Sequence, residues 1–507
     1  DMGAFEYIGE AVENSRPTTP INTYPQSGMQ GVSLVTSLRT TGFSDPDTGD
    51  SPVLTDWQIS KASDFAEPVF SATSVGPDFA SFDIKPGTLE FDTVYWWRAR
   101  VYDNLRLPSP WSKATFFRTR NIGDPHVIDF EYGGSIQDEI LAATDGDVLI
   151  VLPGIYDENL VLGGASITLR SLDPQDPEWV AATIIDGGSR APTLMFSGFE
   201  EPDCAIEGIT LQNGKVGILG NHTLATLRHN RIVGNQGGIV ECDGLIEANY
   251  LADNVSETGA GLWSCGGAIR NNLIIRNRAT GECAQSCFLY CYDLGFGRIE
   301  CHTVCTPSCA QGLGGGIRCC NGDVMNNTIY GNTAPKGAGI ADCLGTLKNN
   351  IVWGNLGLTQ IDSSAPSSYS CIQGSTDTTR GNIFVDPLFV DPDRDAFHLS
   401  AQSPCIDAGG FVAEVDLDFE GEPRPFDASP EPRGDGSDFD IGADEYSYYP
   451  ISLVDQNQDS RIDAMDLFEF QGDWMWKEIG GVKGDLNHDL STDAEDLLFL
   501  LKGWGQV

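Results

Sequence analysis

Two twelve-residue stretches near the end of the chain carry oxygen-bearing side chains at matching positions. They are Asp455–Asp466 and Asp485–Asp496, and they begin 30 residues apart. Hard oxygen ligands that alternate along a short loop can all face one calcium ion. The sequence therefore predicts two calcium sites. The predicted ligands are Asp455, Asn457, Asp459, the backbone carbonyl of Arg461, Asp463 and Asp466 in the first loop, and Asp485, Asn487, Asp489, the backbone carbonyl of Ser491, Asp493 and Asp496 in the second.

Both loops depart from the EF-hand rule at two positions. Position 12 is Asp instead of Glu, and position 6 is Ser460 or Leu490 instead of Gly. With Asp at position 12 and an apolar helix predicted after each loop, residues 450–507 resemble dockerin domains. The resemblance implies a small α-helical, EF-hand-like module that two calcium ions fold and that docks onto a cohesin-like partner. Loop positions 10 and 11, which help to choose the partner in that family, are Ala464, Met465, Ala494 and Glu495 here.

These partner-choosing residues differ between the two repeats, so the two-way symmetric docking of some dockerins is not expected. The missing glycines leave strain in the loops, and weak binding at the second site is a further expectation. A degraded copy that binds no metal is the alternative to calcium binding.

Cysteines are the other residues with obvious chemistry, and the chain has 14 of them. Six lie in an insertion at about residues 279–311, with the spacing C-x3-C-x3-C-x9-C-x3-C-x3-C. Disulfides that staple this loop, a structural zinc site and free thiols are the alternatives; the absence of C-x2-C spacing and an oxidising compartment disfavour zinc. Six cysteines allow 15 pairings, so the connectivity is not readable. The six are Cys283, Cys287, Cys291, Cys301, Cys305 and Cys309.

Five aligned segments reveal the element that must position the central residues. The steps between them are 19, 23, 55 and 23 residues, and the long step is one coil of 23 plus an insertion of 32. Their short, β-branched apolar positions are separated by turns, which predicts strand-and-turn coils that bury their apolar faces only by stacking. Side-chain amides stacked about 4.8 Å apart can bond from coil to coil. The predicted ladder is Asn230, Asn249, Asn272, Asn327 and Asn350.

Residues 124–446 resemble the right-handed, single-stranded parallel β-helix proteins of the pectate-lyase-like class. The segment 135–171 is similar to the start of such proteins, where a short helix caps the open end. The phrases DPLF at 386–389, SPCIDAG at 403–409 and DIGADEY at 440–446 are similar to their exit. The resemblance implies the fold and says little about function, because lyases, hydrolases, esterases and inert adhesins share it.

A column of four cysteines follows from this repeat. Each lies seven residues before a ladder asparagine, so the four stack on successive coils. Disulfides between adjacent coils, Cys242–Cys265 and Cys320–Cys343, and a stack of small buried thiols are both open.

Outward-facing columns bear on whether the β-helix is catalytic. One column is Arg228, Glu247, Arg270, Met325 and Lys348, and another is Glu241, Ser264, Cys319 and Asp342. Neither provides the paired carboxylates on neighbouring coils that glycoside hydrolysis requires, nor an acidic calcium cluster beside a base. Solvated charges of alternating sign are the plainer interpretation.

Exposed aromatic residues offer a second kind of site. Trp263, Tyr330 and Trp353 lie at outward positions, where their rings could stack on sugars. The alternative is that the cysteine-rich insertion or a neighbouring domain covers them.

Residues 16–120 are predicted to form a β-sandwich of short strands with regular turns. The run Phe91–Tyr102, followed by Trp111 and Phe116-Phe117, resembles bacterial fibronectin type III-like domains. That resemblance implies aromatic residues in the core and a role as a spacer; binding by exposed aromatics is the alternative. The opening DMGAFEY nearly repeats the phrase at 440–446, so residues 1–15 are interpreted as the tail of a preceding β-helix module.

Charge and composition restrict the partners. The formal net charge is −43, which disfavours binding to nucleic acid or anionic membranes. The sequence contains no run of 18 apolar residues, so no transmembrane helix is predicted. The cysteines point to a secreted or cell-surface protein. Two functions stay open: a non-catalytic protein that binds or presents polysaccharide or surface ligands, and a polysaccharide lyase or O-glycosyl hydrolase anchored by the calcium module.

Overall fold

A computed structural model describes residues 14–446, apart from residues 77, 86, 122, 131–133, 282–286, 294–298, 306–312 and 429–432. The predictions for residues 1–13 and for the calcium module at 450–507 lie outside the described residues. Within them, no helix is both long and apolar enough to cross a membrane.

Two sheets share one core in the N-terminal part. Burial alternates along the strand Val94–Asp103, as expected for a strand with one face inward. Trp57 and Trp97 stack in the core with ring centroids 6.3 Å apart. Membership of the fibronectin type III family stays a prediction. The strands are β1 (Asn22–Tyr24), β2 (Met29–Val32), β3 (Ser37–Thr40), β4 (Pro52–Ser60), β5 (Phe70–Ser74), β6 (Ser81–Asp83), β7 (Val94–Asp103) and β8 (Thr115–Thr119), in the sheet orders β1-β3-β6 and β2-β8-β7-β4-β5.

A parallel β-helix of about nine turns follows, which confirms the central prediction. Three sheets run along it, and in each one every strand pairs in parallel with the equivalent strand of the next coil. Sheet 1 contains β9 (His126–Ile128), β10 (Val148–Val151), β13 (Thr168–Ser171), β16 (Ala205–Glu207), β19 (Thr226–Arg228), β22 (Ile246–Glu247), β26 (Ile269–Arg270), β32 (Val324–Met325), β35 (Leu347–Lys348) and β38 (Ser367–Ser368).

The other two sheets complete each coil. Sheet 2 contains β11 (Gly154–Tyr156), β14 (Thr183–Asp186), β17 (Thr210–Gln212), β20 (Arg231–Val233), β23 (Tyr250–Ala252), β27 (Leu273–Ile275), β33 (Thr328–Tyr330), β36 (Ile351–Trp353) and β39 (Cys371–Ile372). Sheet 3 contains β12 (Leu160–Val161), β15 (Leu194–Met195), β18 (Ile218–Thr223), β21 (Ile239–Cys242), β25 (Leu262–Trp263), β31 (Ile317–Arg318), β34 (Ile340–Ala341) and β37 (Ile361–Asp362).

Short elements decorate the β-helix. Helix α1 (Ile136–Ala142) begins at the N-cap Ser135 and buries Ile136 against the first coil, as expected for a cap. Helix α2 (Pro177–Ala182) lies in the second coil. The remaining elements are β24 (Val255–Ser256) with β28 (Arg278–Ala279), the hairpin β29 (Cys287–Asp293) with β30 (Ile299–Cys305), β40 (Phe389–Asp391) with β41 (Ala396–Leu399), and a 3-10 helix (Pro392–Arg394).

Asparagine amides tie the coils together. Asn272 is completely buried; its Nδ2 donates to Asn327 Oδ1 at 2.9 Å and to the Ile246 carbonyl at 2.9 Å. Its Oδ1 accepts from the backbone N–H of Asn249 at 2.9 Å. The same pattern repeats along the predicted ladder, so the polar backbone of these buried turns is satisfied. A second ladder lies five residues after the first one in each coil: Asn235, Asn254, Asn277, Asn332 and Asn355.

Buried polar contacts join the two folded parts. Ser33 Oγ donates to Glu139 on α1. Glu139 also meets the buried His126 ring, with Nδ1 at 2.7 Å from its carboxylate. The N-terminal sheets and the first coil of the β-helix therefore share a polar contact away from solvent.

Candidate functional site

A C-terminal wrap, residues 386–446, folds back over the outward face of sheet 2. Phe397 and Ala443 of the wrap pack against Ala252, Leu273 and Ile275 of the sheet. Backbone contacts hold the wrap in place: the Gly442 N–H donates to the Asn349 carbonyl at 2.9 Å. The wrap thus brings side chains from the end of the described chain onto the middle coils.

A cleft lies where the wrap meets three successive strands of sheet 2. Its cavity measures about 230 Å³. Apolar side chains form part of the wall, and charged groups of the wrap and the sheet line the rest. The lining residues are Arg231, Tyr250 and Leu273 from the sheet, and Asp395, Phe397, His398, Phe419, Glu420 and Asp444 from the wrap.

One side of the cleft is a fixed hydrogen-bond network. Tyr250 Oη donates to Asp395 Oδ2 at 2.8 Å, and Arg276 Nη2 donates to Tyr250 Oη at 3.1 Å. Burial opposes ionisation of Asp395, but the hydrogen bonds from Arg276 and Tyr250 outweigh it and hold the pKa of Asp395 below its ordinary value. Burial and the bond to Asp395 raise the pKa of Tyr250 to about 12. Asp395 is therefore a carboxylate and Tyr250 a neutral phenol at neutral pH.

The opposite side contains an ion pair beside a mostly buried acid. His398 Nε2 lies 3.0 Å from both carboxylate oxygens of Glu420. The bond to Glu420 raises the pKa of His398 to about 9 although burial opposes it. Asp444 Oδ2 accepts from the Leu399 N–H at 2.7 Å. Burial raises the pKa of Asp444 to about 7, so this acid is half protonated near neutral pH.

A buried scaffold in the wrap positions these acids. Asp418 accepts from the N–H groups of Glu420 at 2.9 Å and Glu422 at 2.7 Å, which fixes the turn that carries Glu420. Arg424 donates to Glu445 at 2.8 Å and to the Gly442 carbonyl at 2.9 Å, next to Asp444. The DIGADEY phrase at 440–446 is thus a structural anchor for the cleft.

The donor atoms of this side also suit a cation. His398, Glu420 and Asp444 each offer one ligand atom, and the three atoms lie within 4.8 Å of one another. One imidazole and two carboxylates form a set that divalent metals accept. A second group, Asp45, Asp47 and Asp50, lies between β3 and β4 and is purely acidic.

The aromatic residues predicted to bind sugar already pack against protein. The Tyr330 ring contacts Phe389 and Phe397 of the wrap, at centroid distances of 5.8 and 5.3 Å. Trp353 packs beside the cluster that the last coil and the wrap share, and Trp263 packs along the outward apolar face of sheet 3. The wrap is the element that packs against Tyr330 and Trp353, and sugar binding by the three aromatic residues stays a prediction.

The charged column on sheet 1 consists of ion pairs. Glu207 meets Arg228 and Glu247 meets Arg270, each at 2.6 Å. The charges alternate in sign, but the side chains of Glu207, Arg270 and Glu247 are only 11%, 17% and 22% exposed, so these pairs are partly buried.

The column of Cys242, Cys265, Cys320 and Cys343 consists of four free, buried thiols in the structure. They stack so that the Cys320 N–H donates to Cys343 Sγ at 3.3 Å. Disulfides between adjacent coils and a stack of buried thiols both stay predictions.

The cysteine-rich insertion is described only in part, with Cys283 and Cys309 outside the described residues. In the backbone register of the β29–β30 hairpin, Cys287 lies opposite Cys305, and Cys291 lies opposite Cys301. Disulfides in the insertion stay a prediction.

Sequence reasoning missed Asp395, His398, Glu420 and Asp444. They come from the wrap, which has no repeat, and Asp395 reaches Tyr250 across 145 residues of sequence. The exit phrases marked the wrap as part of the domain, but no periodic pattern indicated which coils it covers.

Comparisons with known proteins give only weak likenesses. No protein-family model matches the chain, and no curated protein matches it. Solved structures that resemble it include a family 28 exopolygalacturonase from Yersinia enterocolitica (14% identity, 71% of this chain and 78% of that one, TM-score 0.17). A pectate lyase from Erwinia chrysanthemi is similar at 11% identity over 73% of this chain and 89% of that one, with a TM-score of 0.15.

An α-L-rhamnosidase from Dictyoglumus thermophilum matches at 15% identity and a TM-score of 0.19; the match covers 22% of this chain and only 13% of the rhamnosidase. TM-scores of this size carry no argument about activity. The fold rests on the strands and their pairing.

Proposed function

We propose that this chain is a secreted or cell-surface modular protein that binds a polysaccharide through the cleft between sheet 2 and the C-terminal wrap. The observation that carries the proposal is the cleft itself. Tyr250 and Phe419 line the cleft together with the polar groups of Asp395, His398 and Glu420. The Arg231 guanidinium lies over one face of the Tyr250 ring, 4.8 Å from its centroid. Sugar rings pair an apolar face with a rim of hydroxyls, and such a mixed wall matches both.

Size and charge narrow the ligand. A cavity of about 230 Å³ accommodates a sugar unit rather than a long stretch of chain. Arg231 and the charged His398 face Asp395, Glu420 and the half-ionised Asp444, so the charges of the cleft nearly cancel. The whole chain carries a net charge of −43, which repels polyanions. We therefore expect a neutral or weakly charged sugar.

Hydrolysis of the bound sugar is the second candidate function. Asp444 has a pKa of about 7, and its oxygen lies within 4.8 Å of Glu420. A protonated acid next to a solvent-facing carboxylate is the pairing that glycoside hydrolases use, with a spacing of about 5 Å in retaining enzymes. In this scheme Asp444 protonates the glycosidic oxygen, and Glu420 stabilises or attacks the sugar carbon.

The flanking modules complete the proposal. Residues 450–507 bind two calcium ions through the predicted loops and dock onto a cohesin-like partner. Residues 16–120 act as a spacer of the fibronectin type III kind. The β-helix is then held at a surface by the calcium module and presents its cleft to the polysaccharide.

A binding and depolymerisation screen tests the cleft. The full chain with calcium is incubated with neutral and acidic polysaccharides; retention on the insoluble ones, new reducing ends and unsaturated uronate ends are measured. Glu420→Gln keeps the shape and removes the charge, so we expect binding to weaken about tenfold. If the cleft is catalytic, release of reducing ends falls by at least about 100-fold in this variant.

The matched control is Glu178→Gln, an exposed glutamate on α2, which should behave as the parent protein. Binding that survives unchanged in the Glu420 variant would place the sugar elsewhere. Unsaturated uronate products would reveal a lyase and contradict the hydrolytic scheme.

A further inference from the structure

Two thiols meet inside the protein where the wrap contacts the last coil. Cys371 lies on β39, and Cys405 lies in the wrap. Both side chains are completely buried in one apolar cluster with Ile351 and Ile441. The two side chains pack in the same cluster with their thiols within hydrogen-bond reach of each other, and both thiols are free in this structure.

Both cysteines are held by the backbone around them. The Cys371 N–H donates to the Asn350 carbonyl at 2.9 Å, in the parallel pairing of sheet 2. The Ile441 N–H donates to the Cys405 carbonyl at 3.0 Å, which fixes Cys405 against the DIGADEY phrase. The contact between the sulfur atoms therefore belongs to two anchored segments.

We propose that Cys371 and Cys405 form a disulfide bond that fixes the C-terminal wrap to the last coil of the β-helix. The bond closes a loop from 371 to 405 that contains Asp395 and His398 of the cleft. It would hold the sugar-binding groups over sheet 2, but the proposal does not depend on sugar binding.

The chemistry is thiol–disulfide exchange with an external disulfide such as oxidised glutathione. The Cys371–Cys405 S–S bond forms and the external S–S bond breaks. Two electrons and two protons pass to the external sulfur atoms, which leave as two thiols. An oxidising compartment supplies such disulfides.

Burial determines when the exchange occurs. It raises the pKa of the Cys405 thiol well above its ordinary value, so the reactive thiolate is scarce once the wrap has docked. The exchange therefore takes place before or during docking. Afterwards the bond is shielded from reductants.

The stacked cysteine column differs from this pair. Cys320 contacts Cys265 on one side and Cys343 on the other, so its thiol has no single partner. Cys371 and Cys405 make a two-membered contact that joins different segments of the fold.

Peptide mapping of the full chain tests the proposal. The protein is produced under oxidising conditions, alkylated after denaturation without reductant, and digested. We expect a cross-linked peptide that contains Cys371 and Cys405 and that disappears after reduction. Finding both residues alkylated, or either one linked to a different cysteine, would overturn the proposal.

Thermal melting gives a second measurement. Reductant present during folding should lower the Tm by about 5 to 10 °C, as expected for a loop of this length. The same reductant added to the folded, oxidised protein should change nothing until it melts. In the double variant Cys371→Ala/Cys405→Ala, the difference in Tm between folding with and without reductant should disappear. In Cys204→Ala, which removes a buried thiol of the β-helix core, this difference should remain. If the double variant does not fold, the peptide map of the parent protein decides alone.

Discussion

At the scale of single residues, the environment gives chemically similar side chains different charges. Asp395 receives hydrogen bonds from Tyr250 and Arg276 and stays ionised, whereas Asp444 is mostly buried and has a pKa of about 7. His398 has a pKa of about 9 because Glu420 binds its ring. Such divergent titration within one cleft is typical of functional sites.

The His398–Glu420 pair predicts a pH dependence of stability. The pKa of His398 is raised in the folded protein, so its stabilising contribution is complete below about pH 6.5 and is lost as the pH rises through about 9. Glu420, Asp444 and Asp418 are the acids whose charge acts on the ring. We therefore expect His398→Gln to lower the Tm at pH 6 and to approach the parent protein at pH 10.

Melting curves of both proteins between pH 6 and 10 check this expectation. The raised pKa of Asp444 lowers the stability of both proteins as the pH rises from about 4 to about 7, so the informative quantity is the difference between them. A difference that does not change with pH would show that the charge of His398 has no part in it.

At the scale of elements, the repeated coils were far easier to predict than the wrap. Ile239, Leu262, Ile317 and Ile340 occupy equivalent positions in successive coils and pair with one another, because each coil buries the same apolar face by stacking on the next. The contacts of the wrap each occur only once, and they depend on single side chains such as Arg424 and Asp418. Non-repeating, long-range contacts leave no periodic signal, and the cleft depends on them.

The asparagine ladder predicts a large cost for one substitution. Asn272→Ala leaves the buried Asn249 N–H and the Ile246 and Arg270 carbonyls without their amide partner. We expect the free energy of unfolding to fall by about 3 kcal/mol or more. Urea denaturation followed by circular dichroism measures it.

The control is Asn121→Ala, at an exposed position, where a change within about 0.5 kcal/mol is expected. Equal effects of the two substitutions would mean that the ladder contributes no more than a surface amide.

At the scale of the whole molecule, the sequence predicted the parallel β-helix and its register. It did not locate the cleft. The Tyr330 ring, predicted at an outward position, packs against Phe397 of the wrap and is partly buried, and sugar binding by this ring stays a prediction. The burial of a side chain is a property of the assembled chain.

The calcium module predicted at residues 450–507 gives an expected stoichiometry of two calcium ions per chain. Calcium is first removed from the full chain with a chelator. Titration calorimetry should then show that each loop binds calcium separately. Asp466→Ala and Asp496→Ala each remove a carboxylate at position 12, so each should abolish one of the two predicted sites. Asp173→Ala, an exposed aspartate of the β-helix, serves as the control. A stoichiometry unaffected by either loop substitution would contradict the assignment.

Hydrogen–deuterium exchange tests most directly whether the cleft between sheet 2 and the wrap binds the sugar. It is measured on the full chain with and without a bound oligosaccharide from the screen. We expect slower exchange in peptides that contain Tyr250, Phe397-His398 and Phe419-Glu420, because the sugar lies between sheet 2 and the wrap. Saturated binding that leaves these peptides unchanged, with protection at Trp263 or within residues 16–120 instead, would contradict it.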